Sequence, residues 1–142
     1  MGDPVYDILI IGGGPGGYTA ALKAGMMGAK TALIEKDQVG GTCLNRGCIP
    51  TKALLQSAER FQMAKNSLAF GVRAENVSLD MKKVDSYRRK SIKTLVKGVE
   101  YLINARKVDL IRGEAAFKDA ETVCVRKPDG TEEGLTAKSI II

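Results

Sequence analysis

The chain has 142 residues, 44% of them apolar and 5% aromatic, which suits one domain with one core, and no stretch reaches the ~18 apolar residues that suggest a membrane span. The net charge is +6, but Asp80 to Lys107 alone holds nine Lys or Arg against three Asp or Glu, so the basicity marks the wet face of one segment rather than a nucleic-acid surface. Three cysteines and no histidine leave too few ligands for a closed zinc site and remove the commonest general base.

The opening, Met1 to Asp7, lacks the basic and apolar regions of a secretory leader, and a reducing, cytoplasmic setting is expected, where a disulfide is redox-active rather than structural. Val5 to Ile11 is a short β-branched apolar run, the pattern of a strand buried on both faces. The glycine run Gly12 to Gly17 follows, and Tyr18 to Met27 reads as a helix ended by Gly28. Lys30 to Ile34 is a second strand closed by Glu35. Strand, glycine turn, helix, strand and acid make a βαβ half.

Within this unit Gly12, Gly14 and Gly17 fit G-x-G-x-x-G. Gly12 permits the turn out of the strand, Gly14 lets the backbone approach a pyrophosphate, and Gly17 allows close helix–strand packing. The helix N-terminus after Pro15 offers N–H groups and a positive dipole end to phosphates. Glu35 lies 21 residues after Gly14, where a carboxylate accepts hydrogen bonds from ribose hydroxyls and disfavours a 2′-phosphate. The residues alone leave FAD and NAD both open.

Asp37 to Pro50 reads as a loop with a dithiol motif, GGTCLNRGCIPTK over Gly40 to Lys52. Cys43 and Cys48 are five apart; on one regular helix they would rise ~7.5 Å and point apart, so a bridge needs a bend, which Gly47 makes cheap. Arg46, Lys52 and a helix starting near Pro50 offer the positive environment that activates a thiol. Cys124, alone in TVCVR, reads as a small buried apolar residue.

Thr51 to Asn66 reads as a helix and Phe70 to Ser78 as a connector. A long amphipathic helix is expected from Asp80 to about Ala105, presenting Val84, Tyr87, Ser91, Leu95, Val99 and Leu102, with Ser78 as N-cap and Gly98 a weak point inside it. Val108 to Ile111 is a third strand. Ala115 to Phe117, Thr122 to Arg126 and Leu135 to Ile142 are further strand-like pieces, with a turn at Pro128-Asp129-Gly130. The sequence stops within the apolar run SIII, and because domains rarely end inside a buried strand, a piece of a longer protein is expected.

At the two motifs the chain resembles the pyridine nucleotide–disulfide oxidoreductases, from Asp7 to Ile142. Leu44-Asn45 and Ile49-Pro50-Thr51-Lys52 look more like its dihydrolipoamide-oxidising branch than its glutathione and mercury reductases, which tend to have valines at Leu44 and Ile49; Thr51 replaces the usual serine. The resemblance implies a Rossmann-like three-layer α/β fold, a parallel sheet with helices and a β-meander, forming the N-terminal part of an FAD-binding domain. It implies that Gly12, Gly14, Pro15 and Gly17 cradle the FAD pyrophosphate, that Glu35 with Lys36 meets the adenosine, and that Ala115 meets the adenine through its backbone. Gly41 and Thr42 would line the FAD and Lys52 the flavin edge, with Cys43 the interchange thiol and Cys48 the thiol facing the flavin.

The implied activity is oxidation of dihydrolipoamide with NAD⁺ through a redox-active Cys43–Cys48 disulfide. NAD⁺, the remaining domains and a C-terminal His–Glu acid–base pair would lie outside these residues. The implied partners are a lipoyl-bearing protein, a second copy in a homodimer, and a 2-oxo acid dehydrogenase complex. Two readings compete: a reductase of glutathione or mercury from the same family, and a non-catalytic FAD-binding module or scaffold docking through the basic Lys82 to Lys107 helix.

Overall fold

A computed structural model describes residues 5–142; Met1 to Pro4, the first four residues of the Met1 to Asp7 segment read as lacking a leader, lie outside the described residues. The first strand, β1 (Tyr6–Ile11), is followed by α1 (Pro15–Met26) and β2 (Thr31–Glu35). The strand runs are apolar on consecutive residues because both of their faces are covered. Leu9, Ala32 and Ile34 enter one core cluster, while Ile10 and Leu33, pointing the other way, enter a second, as the two-residue period of a strand requires. Gly28, at φ +81°, follows the C-cap Met27 and ends α1 as its placement predicts.

Two helices then break at Arg46-Gly47: α2 (Gly41–Asn45) and α3 (Cys48–Lys65). The expectation of a plain loop over Asp37 to Pro50 is corrected here. Residues 41–45 are helical, and α3 starts three residues ahead of Thr51, with Pro50 inside its first turn, where no intrahelical N–H bond is lost. A short 3₁₀ turn, Ser67–Phe70, leads to α4 (Met81–Ala105). The cap of α4 is Asp80, not Ser78: Asp80 Oδ1 accepts the N–H groups of Lys82 at 3.0 Å and Lys83 at 3.1 Å. The helix continues through Gly98.

The inward stripe of α4 also differs from expectation. Val84, Ser91 and Val99 are half-buried and Ile103 is buried, but Tyr87, Leu95 and Leu102 stay exposed. The packed stripe passes through Ile92, Val96, Val99 and Ile103, because α4 rests on the sheet only near its C-terminal end, where Ile103 and Val99 join Val108 in the second core cluster.

Four more strands complete the sheet: β3 (Asp109–Arg112), β4 (Glu114–Phe117), β5 (Thr122–Arg126) and β6 (Glu132–Ile141), in the order β3-β2-β1-β6-β5-β4. β3, β2, β1 and β6 run parallel, with Leu9 opposite both Ala32 and Ile140. β4, β5 and the first half of β6 form an antiparallel meander. Val123, Val125, Leu135 and Ala137 of the meander share a core with Leu9 and Ile34, so it folds over the sheet face opposite the helices. Helices, parallel sheet and meander form the three layers of a Rossmann-like fold. Among the described residues no helix is long and apolar enough to cross a membrane.

Candidate functional site: a glycine cradle beside a dithiol

The chain leaves β1 through Gly12 at φ +100°, a left-handed conformation costly for any residue with a Cβ, and Gly12 N–H is anchored to the carbonyl of Ile34 at 2.8 Å. A Cβ on Gly17 would lie 1.8 Å from the Gly12 carbonyl oxygen, so this glycine is fixed by the approach of α1 to the turn. Gly14 is the N-cap of α1, and Pro15 occupies its first position. No side chain caps this end, and a Cβ on Gly14 would meet nothing within 4 Å. The helix end is therefore an open group of N–H donors at the positive pole of the dipole.

Glu35 closes one side of the turn. Its Oε2 accepts the Gly13 N–H at 2.7 Å and its Oε1 accepts the Asp37 N–H at 2.8 Å. Each oxygen retains a further acceptor position, as a ribose diol needs. Lys36, exposed, points to Glu114 Oε1 at 3.3 Å. The Gly113 N–H donates to the Glu35 carbonyl at 3.1 Å, so β4 starts beside Glu35. Ala115, half-buried opposite Val125, is thus brought to the same end of the sheet as Glu35 and Lys36.

The dithiol segment is tied to the other side of the turn. Gly40 N–H donates to the Gly13 carbonyl at 2.7 Å. A Cβ on Gly41, itself at φ +55°, would stand 2.9 Å from Gly14 Cα. The two motifs thus touch backbone to backbone. Thr42 is exposed on α2. The Arg46 N–H donates to the Thr42 carbonyl at 2.8 Å, ending α2, and the chain turns at Gly47.

That turn brings Cys43, half-buried, and Cys48, exposed, into side-chain hydrogen-bond contact, both as free thiols. Cys48 is the first residue of α3, and Lys52 follows one turn later. The Cys43 thiol is held above the ordinary cysteine range, first by its hydrogen bond to Cys48, then by burial and by repulsion from Cys48. The Cys48 backbone N–H and the charge of Lys52 pull the other way. The expected contribution of Arg46 is corrected: its guanidinium pairs with Asp37 Oδ2, so of the two basic residues only Lys52 acts on Cys43.

Three contributors have structural roles that the sequence does not assign them, although Gly40 and Asn45 lie inside the dithiol motif. Asn45 Nδ2 donates to the carbonyls of Val39 at 3.1 Å and Gly41 at 2.9 Å, fastening α2 to the loop before it. Gly40 is visible as a glycine, but its partner Gly13 is not. Arg112 donates to the Asp37 carbonyl at 2.9 Å and to Glu100 Oε1 at 2.6 Å, supporting the loop after Glu35 from β3 and α4. Cys124 lies apart from the pair, half-buried on β5, its thiol 3.7 Å from Glu132 Oε2.

Comparison with known proteins agrees with this geometry. Residues 6–142 match the family described as pyridine nucleotide-disulphide oxidoreductase. The dihydrolipoyl dehydrogenase of Geobacillus stearothermophilus is 44% identical over 136 residues, covering 96% of this chain and 29% of the relative. That of Chlorobaculum tepidum is 46% identical over 137 residues, again 96% and 29%, and that of Trypanosoma brucei brucei is 44% identical over 140 residues with the same coverage. The chain thus spans less than a third of the length of these relatives. With a glycine turn, an acid closing one side of it and a paired dithiol in one connected unit, this chain belongs to the pyridine nucleotide-disulphide oxidoreductase family.

Proposed function

We propose that the chain is the FAD-binding, dithiol-bearing portion of a dihydrolipoyl dehydrogenase, a flavoprotein that oxidises dihydrolipoamide and passes the electrons to NAD⁺. The residues fit the cofactor. Gly14 leaves room where a diphosphate would approach, the α1 N-terminus offers uncapped N–H groups, and Glu35 keeps acceptor capacity on both oxygens. Gly12, Gly14, Pro15 and Gly17 would hold the diphosphate, Glu35 and Lys36 the adenosine ribose, and the Ala115 backbone the adenine. Gly41, Thr42 and Lys52 would line the side that carries the cysteines. FAD, when bound, supplies the two-electron acceptor between the dithiol and NAD⁺.

The chain's own chemistry is thiol–disulfide exchange. In the oxidised protein Cys43 and Cys48 share a disulfide. One sulfur of dihydrolipoamide, deprotonated, attacks Cys43; the S–S bond breaks and Cys48 leaves as thiolate. The second substrate sulfur then attacks the first, releasing lipoamide and freeing Cys43. The Lys52 charge and the first N–H of α3 stabilise negative charge that forms on Cys43. The bases that take the two substrate protons come from the rest of the parent protein, since this chain holds no histidine. A lipoyl-bearing protein, a homodimeric parent in a 2-oxo acid dehydrogenase complex and a cytoplasmic setting belong to the same reading.

The observation that carries the proposal is the backbone contact of Gly40-Gly41 with Gly13-Gly14, which sets the dithiol next to the glycine turn. The test is the full-length parent assayed with dihydrolipoamide and NAD⁺, against glutathione disulfide with NADPH and mercuric ion with NADPH. Turnover with the first pair and loss on Cys43→Ser or Cys48→Ser support it; preference for another pair moves the protein to a reductase branch. The isolated 142-residue chain should show no turnover.

A further inference from the structure

One face of α4 and the loop after Glu35 enclose a groove of about 440 Å³. Arg89, Ile92, Lys93, Val96, Lys97 and Glu100 line it from α4, and Gln38 and Arg112 from the opposite side. The α4 positions recur at three- and four-residue spacing, so they form one continuous strip, about 16 Å long at 1.5 Å per residue. Ile92 and Val96, both half-buried, give it an apolar floor. Its rim is cationic. Glu100 is neutralised by Arg112 at 2.6 Å, and Asp85 is shared between Arg89 at 2.6 Å and Arg88 at 2.5 Å. Lys93 and Lys97, both exposed, make no hydrogen bond or ion pair among the described residues.

We propose that this groove is a docking surface for an acidic, amphipathic segment of a partner protein. A long trough with an apolar floor suits a peptide that lays leucine-like side chains inward. Two uncommitted lysines on the rim suit carboxylates flanking them, and charge of this kind governs steering and partner choice. Lys93 and Lys97 stand exposed beside this half-buried floor with no counter-charge among the described residues, which leaves the rim open to acidic side chains. The α4 wall of the groove carries no residue of the cradle or the dithiol, and the inference stands whether or not the proposed reaction is correct.

The test is fluorescence anisotropy with a labelled helical peptide carrying leucines at i, i+4 and i+7 flanked by glutamates, titrated with the purified chain. Binding that weakens about tenfold in Lys93→Glu/Lys97→Glu, falls with added salt and survives Lys82→Glu/Lys90→Glu supports the groove. The control pair makes the same charge change on α4 outside it. Circular dichroism checks that each variant keeps its helix content. No binding, or binding lost equally in both variants, overturns the proposal. So does tripolyphosphate competing fully for Lys93 and Lys97 while a leucine-free acidic peptide binds equally well, which would make the site a plain anion patch.

Discussion

The backbone N–H of Gly40 donates to the carbonyl of Gly13 at 2.7 Å, joining the turn that leads to the cysteines to the turn that follows β1. A displacement of either glycine turn moves the other. The sulfur pair and the glycine cradle therefore behave as one unit, and substitutions in the cradle should be sorted by whether they disturb this unit or only its open side.

Gly17 and Gly14 separate the two cases. In Gly17→Ala the new methyl would lie 1.8 Å from the Gly12 carbonyl oxygen, a backbone atom that moves only with the turn. A loss of about 1–3 kcal/mol or more is expected. In Gly14→Ala the methyl meets no atom within 4 Å. The weaker N-cap and the stiffer unfolded chain oppose each other, leaving stability within about 1 kcal/mol of wild type. Only Gly14→Ala should therefore combine wild-type urea denaturation with loss of flavin from the purified parent. Equal destabilisation of both variants would show that Gly14 is needed for folding alone.

The thiols make a prediction in pH. Cys43 is held above the ordinary range chiefly by its hydrogen bond to Cys48. Cys48→Ala removes that bond and the repulsion between the sulfurs, so the Cys43 midpoint should fall. Lys52→Met removes an opposing pull, so the midpoint should rise. Alkylation of Cys43 by iodoacetamide, followed by mass spectrometry across a pH series, reports both shifts with opposite signs. Because the protonated thiol is the form favoured by folding, the contact stabilises the chain below the ordinary thiol range and loses that contribution as pH rises through the Cys43 midpoint.

Much of this was legible in the sequence, for identifiable reasons. Leu9-Ile10 and Leu33-Ile34 feed cores on opposite faces, so the strands appear as unbroken apolar runs. The glycine spacing reports local geometry, and the bend between Cys43 and Cys48 follows from the reach of a disulfide. What escaped was tertiary. The short helix α2 is held by Asn45 reaching back to Val39 and Gly41, a contact that propensity does not encode in a stretch rich in glycine. Arg46 lies between the cysteines in sequence, yet its charge goes to Asp37. On α4, which neighbour covers which strip decided that Ile103 is buried while Leu102 is exposed.

The N-cap of α4 offers a clean stability test, since the sequence points to Ser78 and the structure uses Asp80. Asp80 Oδ1 accepts two backbone N–H groups. Asp80→Ala should cost about 0.5–2 kcal/mol in chemical denaturation, whereas Ser78→Ala, exposed and away from the helix end, should stay within about 0.5 kcal/mol. Asp80→Asn should recover most of the loss, because its amide oxygen can still accept.

The far end of the sheet carries a second pH-dependent contact. Tyr6, buried at the start of β1, donates its hydroxyl to Asp109 Oδ2 at 3.0 Å, linking β1 to β3 across β2. Burial first, then the hydrogen bond to Asp109 and its negative charge, push the phenol up to about 12 from 10.0. The protonated phenol is the form favoured by folding, so the contact should contribute in full below pH 10 and be lost as pH rises from 10 towards 12. In Tyr6→Phe the contribution is absent at every pH. The difference in urea midpoint between wild type and Tyr6→Phe should be steady at neutral pH and shrink through that window. The phenolate absorbance step near 12 should disappear in the variant. A midpoint difference that stays constant through the window would show that the phenol is not held protonated by the fold.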